Sequence, residues 1–306
     1  MTKRIGSIAV ATVGLLVGVL ALTACDIEEV IETASNAQVR ATDIKTAAFP
    51  VEGVPTLDLD TSNGSVQYRG IDGATEIAVS ASLTSRGETL EEANDRVGRI
   101  ILHMVQDGDL IRLQYLPSEQ DDDVRRYSSV SFDVTGPPIA DVMAADTSNG
   151  SIIIQNTEGV LDLNTSNGMI RVADFRGELY ADTSNGMIDV DRAQGTLRLD
   201  TSNGMIEISD VVAAVDAETS NGRIEFAGEL AGDRHRFATS NGPILFRVSP
   251  AASLSIEART SNATISSNLP LVGSTRGASW DAELNPPAET HVELRTSNGN
   301  IRIEGS

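Results

Sequence analysis

Residues 161–172 read Leu161-Asp162-Leu163-Asn164-Thr165-Ser166-Asn167-Gly168-Met169-Ile170-Arg171-Val172, and Leu179 to Val190 repeat the pattern as Leu-Tyr-Ala-Asp-Thr-Ser-Asn-Gly-Met-Ile-Asp-Val. The tripeptide Thr-Ser-Asn occurs nine times, starting at Thr61, Thr147, Thr165, Thr183, Thr201, Thr219, Thr239, Thr260 and Thr296. From Thr147 the steps are 18, 18, 18, 18, 20, 21 and 36 residues. The last reads as two periods, its middle copy eroded to Ala278-Ser279-Trp280-Asp281. A short fixed period of this kind signals a solenoid, in which each repeat buries its apolar face against its neighbours.

Alignment on the Thr separates the positions by role. Five residues on stand Val66 and then Ile152, Ile170, Ile188, Ile206, Ile224, Ile244, Ile265 and Ile301. Two and four residues before the Thr the side chains are mostly apolar as well, with large and small residues largely alternating at the nearer position. Alternation with β-branched enrichment means β-strand. Positions −4, −2 and 0 share one parity, whereas +5 and +7 have the other, so a straight strand would turn one set outward. The chain must therefore bend within Ser-Asn-Gly, where Asn or Gly takes a left-handed conformation cheaply. A second bend is expected twelve residues after the Thr, at Gly159, Gly177 and Gly195. The expected fold is all-β: a parallel β-solenoid of 18-residue coils. Coils ~4.8 Å apart would stack Asn149, Asn167, Asn185, Asn203, Asn221 and Asn241 into a structural amide ladder.

Residues 75–142 interrupt the repeat after its first copy. The reading here is a strand from Ile77 to Ser85, a helix opened by the capping box Thr89-Leu90-Glu91-Glu92, a hairpin at Asp107-Gly108, an acidic loop around Asp121–Asp123, and a strand from Val130 to Val134. Such a section would cover the N-terminal end of the solenoid. Upstream, Lys3 and Arg4 precede an apolar run from Ile8 to Leu22 and then Leu22-Thr23-Ala24-Cys25, which reads as an export signal. Four segments follow: 1–24 signal peptide, 25–55 Cys25 and tether, 56–142 first coil plus cap section, and 143–306 solenoid repeats.

Composition narrows the function. The chain has 306 residues, 44 acidic against 23 basic, a net charge of −21, and Cys25 as its single cysteine. Such a charge argues against nucleic acid as a partner, and one Cys argues against disulfide frameworks and cysteine-based zinc sites.

Leu22-Thr23-Ala24-Cys25 resembles the lipobox of bacterial lipoproteins, which implies cleavage before Cys25 and attachment of the protein to a membrane through its acylated sulfur and amino terminus. Together with the early Ser-Asn-Gly coil, the interrupting section and coils such as Leu161–Val172, the chain resembles the bacterial putative-adhesin family of β-strand-repeat proteins over roughly residues 55–306. That resemblance implies a β-solenoid and an envelope or surface location, inner or outer membrane undetermined. It carries no catalytic residues to transfer.

Chemistry-bearing residues are few. His103, His235 and His291 have no metal-ligand spacing, and no Gly-x-Ser-x-Gly elbow occurs. No catalytic residue, metal or cofactor is assigned. Immediately before the Thr an outward column reads Asp60, Asp146, Asn164, Asp182, Asp200 and Glu218, then Ala238, Arg259 and Arg295. Of these, Asp146, Asp182 and Asp200 are candidate surface-binding residues, for Ca²⁺ or a glycan, against the plainer reading of a solvated acidic face. Met169, Met187 and Met205 form a second outward column, a candidate docking strip. The expected function is a non-enzymatic, lipid-anchored envelope protein presenting a rigid β-surface to a protein or glycan, as adhesin or scaffold. The alternative is a carbohydrate-active β-helix enzyme, a lyase or hydrolase; a third reading is self-association through the final coil at Ile301 and Ile303.

Overall fold

The computed structural model describes residues 8–9, 38–115 and 121–306. Cys25, most of the export segment and the first part of the expected tether lie outside them. In chain order the first part comprises β1 (Ile8–Ala9), β2 (Val39–Pro50), β3 (Thr56–Asp60), β4 (Val66–Gly70), β5 (Glu76–Gly87), α1 (Leu90–Gly98), β6 (Leu102–Asp107), β7 (Leu110–Tyr115), α2 (Asp122–Tyr127), β8 (Ser128–Gly136) and β9 (Ile139–Thr147). The regular coils are β10 (Ile152–Thr165), β11 (Ile170–Thr183), β12 (Ile188–Thr201) and β13 (Ile206–Thr219). Beyond them lie β14 (Ile224–Leu230), β15 (Arg234–Thr239), β16 (Ile244–Val248), β17 (Leu254–Arg259), β18 (Ile265–Ser267), β19 (Val272–Ser274), β20 (Ser279–Leu284), β21 (Thr290–Arg295) and β22 (Ile301–Gly305).

The fold is a parallel β-solenoid. Ile152 pairs with Ile170, Ile170 with Ile188 and Ile188 with Ile206, while Thr165, Thr183, Thr201 and Thr219 form a matching series. Both parity sets point inward: Leu161, Leu163, Ile170 and Val172 are all buried. Phe226, Phe237 and Phe246 fill one stretch of this core, with ring centroids 5.1–5.4 Å apart.

The two corners differ in mechanism, and one differs from expectation. At the Ser-Asn-Gly corner neither the Asn nor the Gly adopts a positive φ. Glycine is required there by crowding: a Cβ on Gly186 would stand 1.6 Å from the carbonyl oxygen of Gly168, and one on Gly204 at the same distance from that of Gly186. The left-handed residues belong to the other corner, where Asn156, Asp174, Arg192 and Asp210 have φ of 53–56° and Gly159, Gly177 and Gly195 have φ of 126–139°. Asn and Asp tolerate that region best among non-glycine residues.

Three further expectations are corrected. The segment read as a tether contributes β2, paired antiparallel with β5 along its whole length, Val39 with Gly87 through Pro50 with Glu76. Its inward alternation, Val39, Ala41, Ala47 and Phe49, is broken in sequence by Asp43 and Lys45, which hid the period. The acidic stretch at Asp121–Asp123 opens α2, with the Asp121 carboxylate accepting from the Val124 N–H. Residues 279–284 are no eroded coil; β20 runs antiparallel to β17 and covers its edge.

Spatial order departs from chain order at both ends. The first coil, β3 and β4, lies between β7 with β8 on one side and β9 with β10 on the other. The last coil in sequence, β21 and β22, is inserted between β15 with β16 and β17 with β18, so that Ile301 contacts both Ile244 and Ile265 in register. Ile301 and Ile303 are fully buried, which removes them as an open edge for self-association. The N-terminal end is bounded by antiparallel strands, β6 on β7 and β5 on β8. Thr89 caps α1 by accepting from Glu92 N–H, while Glu92 reaches back to the N–H of Glu88.

Candidate binding face

The Thr-Ser-Asn-Gly corner is a ridge of repeated hydrogen bonds. From Thr147 to Thr239 each Thr hydroxyl accepts from the Gly N–H of its own corner and donates to the Gly carbonyl of the coil before it; Thr183 does so with Gly186 (3.1 Å) and Gly168 (3.2 Å). The asparagines form one uninterrupted ladder. Asn149 donates to Asn63, Asn167 to Asn149, Asn185 to Asn167, Asn203 to Asn185, Asn221 to Asn203 and Asn241 to Asn221, over 2.6–2.8 Å. Asn298 donates to Asn241 and Asn262 to Asn298 (2.7 Å each), following the spatial order of the coils. In the regular coils the same amide nitrogen also reaches a serine carbonyl of the earlier coil, Asn167 to Ser148 at 3.4 Å, which fixes its orientation. Every amide dipole in the row thus points the same way.

On one side of this ridge lies the acidic column. Register places Asp60 beside Asp146, Asp146 beside Asn164, Asn164 beside Asp182, Asp182 beside Asp200 and Asp200 beside Glu218. Asn164 therefore divides the candidates: Asp182 and Asp200 adjoin, and Asp146 stands apart with Asp60. Burial raises the Asp60, Asp146 and Asp200 carboxyls above the ordinary carboxylate value, and neighbouring carboxylates push the same way. Farther along, Glu218 gives way to Ala238, Arg295 and Arg259.

Two residues that the repeat pattern does not single out shape this face. Arg198 lies over the Tyr180 ring, 5.2 Å from its centroid, and bonds its hydroxyl at 3.1 Å. With Asn164, Asp182, Asp200, Asp216 and Glu218 they line a shallow depression. Their column, three before the Thr, varies too much in residue type to stand out in the repeat. Arg236 bridges Glu218 and Asp216 and reaches Glu293 at 3.9 Å, offsetting part of the acidic field.

Met169, Met187 and Met205 lie across the ridge from the carboxylates and are half-buried; the two candidate columns are separate faces. His235 is buried, with Nδ1 accepting from Val215 N–H (3.2 Å) and Nε2 3.3 Å from the Gly232 carbonyl. Burial lowers its pKa below 6.5, and the neutral ring satisfies the core. Among the described residues no group of three or more His, Cys, Asp or Glu is placed to hold a metal ion.

Residues 115–304 match the Toastrack family DUF4097. The chain belongs to this family. A search of curated proteins finds no match. Similar solved structures include a protein from Parabacteroides distasonis described as a putative adhesin, with 12% identity over 86% of this chain and 97% of that one, at a TM-score of 0.46. A putative adhesin from Bacteroides fragilis has the same identity and coverage with a TM-score of 0.36. A putative cell adhesion protein from Clostridium sporogenes is 8% identical over 86% of this chain and 100% of that one, with a TM-score of 0.27.

Proposed function

We propose that this Toastrack protein is a non-enzymatic, lipid-anchored component of the bacterial envelope that presents its solenoid face to a protein or glycan. The observation that carries this reading is the open face formed by Tyr180, Asp182, Arg198 and Asp200, held in register on β11 and β12. An aromatic ring, a guanidinium and carboxylates set in fixed rows suit polar, multi-point contact. Coils repeating without insertion between Thr147 and Thr219 leave that surface uncovered, whereas enclosing a substrate for chemistry takes loops that exclude water. Anchoring rests on Leu22-Thr23-Ala24-Cys25; several acyl chains at ~0.8 kcal/mol per buried methylene hold a protein on a bilayer durably.

A glycan array and a reducing-sugar assay, run on the chain and on Tyr180→Ala/Arg198→Ala, test the surface. Binding without turnover that is lost in the variant is the expected result; sugar release would instead favour the carbohydrate-active alternative. Metabolic labelling with a fatty acid, lost in Cys25→Ser, tests the anchor.

A further inference from the structure

The asparagine ladder has a direction, and its donor end is open. Asn63 accepts from Asn149, but its own Nδ2 donates to no partner among the described residues. Its backbone N–H is in the same position. At the next corner the N–H groups of Ser148 and Asn149 both bond the Ser62 carbonyl, and the Asn bond recurs along the stack, Asn167 to Ser148, Asn185 to Ser166 and Asn203 to Ser184. Beneath the first corner there is no Ser-Asn-Gly layer, because β8 lies there. The Thr61 hydroxyl bonds Val130 and the Ser65 N–H bonds Ser131 Oγ, while Asn63 faces a cavity.

Three arginines line the same cavity: Arg40 of β2, Arg86 of β5 and Arg126 of α2. Arg40 and Arg86 are direct cross-strand partners, and like charges so placed are destabilising. Among the described residues no carboxylate lines the cavity, in a chain with net charge −21. The acids on the helix of Arg126 are engaged elsewhere, Asp122 with Arg125 at 2.6 Å and Asp123 facing Arg96 at 3.9 Å. Thr84 and Ser129, cross-strand partners on the outward face of β5 and β8, line the cavity as well. A concentration of positive charge beside donors unspent among the described residues calls for an oxyanion, bound as backbone nests bind one and strengthened by guanidinium groups.

We propose that the N-terminal end of the solenoid is a binding site for a phosphate-bearing group, held by Arg40, Arg86 and Arg126 with Asn63 as an additional donor. The phosphate comes either from a lipid headgroup or from a free phosphate compound. The headgroup source rests on the membrane attachment proposed above, since Cys25 precedes β2 by only fourteen residues; the anion chemistry does not.

The test is calorimetry on the full chain in uncharged detergent, titrated with inorganic phosphate and, separately, with dihexanoyl phosphatidylglycerol below its micelle concentration. Binding of either is expected, weakening as salt rises. Tighter binding of the lipid assigns the headgroup, and equal or tighter binding of inorganic phosphate assigns the free compound. Arg40→Gln/Arg86→Gln should lose about tenfold or more in affinity without a drop in melting temperature, since it relieves a like-charge pair. Asn63→Asp keeps the acceptor that Asn149 needs and replaces the donors with a negative charge, so it should also abolish binding. The Cys25→Ser chain should still bind inorganic phosphate, which keeps failure of the anchor distinct from failure of the site. No binding of either probe, or unchanged affinity in both variants, would overturn the proposal.

Discussion

At the residue scale, the corner tetrapeptide divides its work so that each position has its own cost of replacement. Gly186 sits where a Cβ meets the Gly168 carbonyl at 1.6 Å, so Gly186→Ala must displace one coil from the next; about 3 kcal/mol of destabilisation is expected, the upper end of overpacking. Asn185→Ala removes two ladder bonds at an exposed position, for about 1–2 kcal/mol. Met187→Ala trims a half-buried side chain and should cost about 1 kcal/mol or less. Urea unfolding of the three variants checks this order, and a Met187 effect larger than that of Gly186 would contradict it. The ladder was legible from sequence because a constant spacing puts like on like. The reason for the glycine was not, because it depends on how closely the neighbouring coil approaches, which spacing alone does not express.

His235 supplies a second prediction at this scale. Its folded pKa lies below the ordinary 6.5, so the neutral ring's contribution is present above pH 6.5 and is lost as pH falls from there through the lowered folded value, the unfolded chain taking up the proton first. Thermal melts between pH 7.5 and 5 should show this fall. His235→Leu should be less stable at pH 7.5, because Val215 N–H loses its acceptor, but its stability should change less over the interval.

At the scale of elements, the position of β21 and β22 is the feature least accessible to sequence. All coils carry nearly the same inward pattern, so any coil can be stacked on any other by local criteria; which pairs form is decided by the connections and the covering strands. The segment around Trp280 misleads for the same reason, an alternating stretch being as consistent with an eroded coil as with the antiparallel β20. Deleting residues 290–306 should therefore abolish the native fold of the C-terminal coils and not merely fray an end, because β15, β16, β17 and β18 each lose a strand partner. Limited proteolysis mapped by mass spectrometry would show cleavage spreading into residues 234–267; protection there would contradict the inserted order. The arginine cavity was equally hidden, since Arg40, Arg86 and Arg126 converge only once β2, β5 and α2 are in place.

At the scale of the whole molecule, the charge is organised along the solenoid axis. The carboxylates occupy the earlier coils of their column, the arginines its far end, and a basic cavity the N-terminal end. Asp60, Asp146 and Asp200 carry raised pKa values, first through burial and then through neighbouring carboxylates. Their contribution to stability is complete below the ordinary value of 3.8 and is lost as pH rises through the raised values. Changing Asp146, Asp182 and Asp200 together to Asn should accordingly raise the melting temperature at pH 7, and the gain should shrink in high salt. Calorimetry with Ca²⁺ on the same pair of proteins checks the binding reading of this column; heat with the parent that is absent from the variant is the outcome a calcium strip requires.

The insertion of β21 and β22 also bears on when these coils can pair during synthesis. A chain read from its amino terminus can stack its coils in turn only as far as β16. The next layer in space is the last one in sequence, so β17 and β18 have no seat until residues 290–305 arrive. Premature termination would leave the open parallel edges of β15 and β16 exposed to association, and the finished stack is in effect a test that synthesis has passed residue 305.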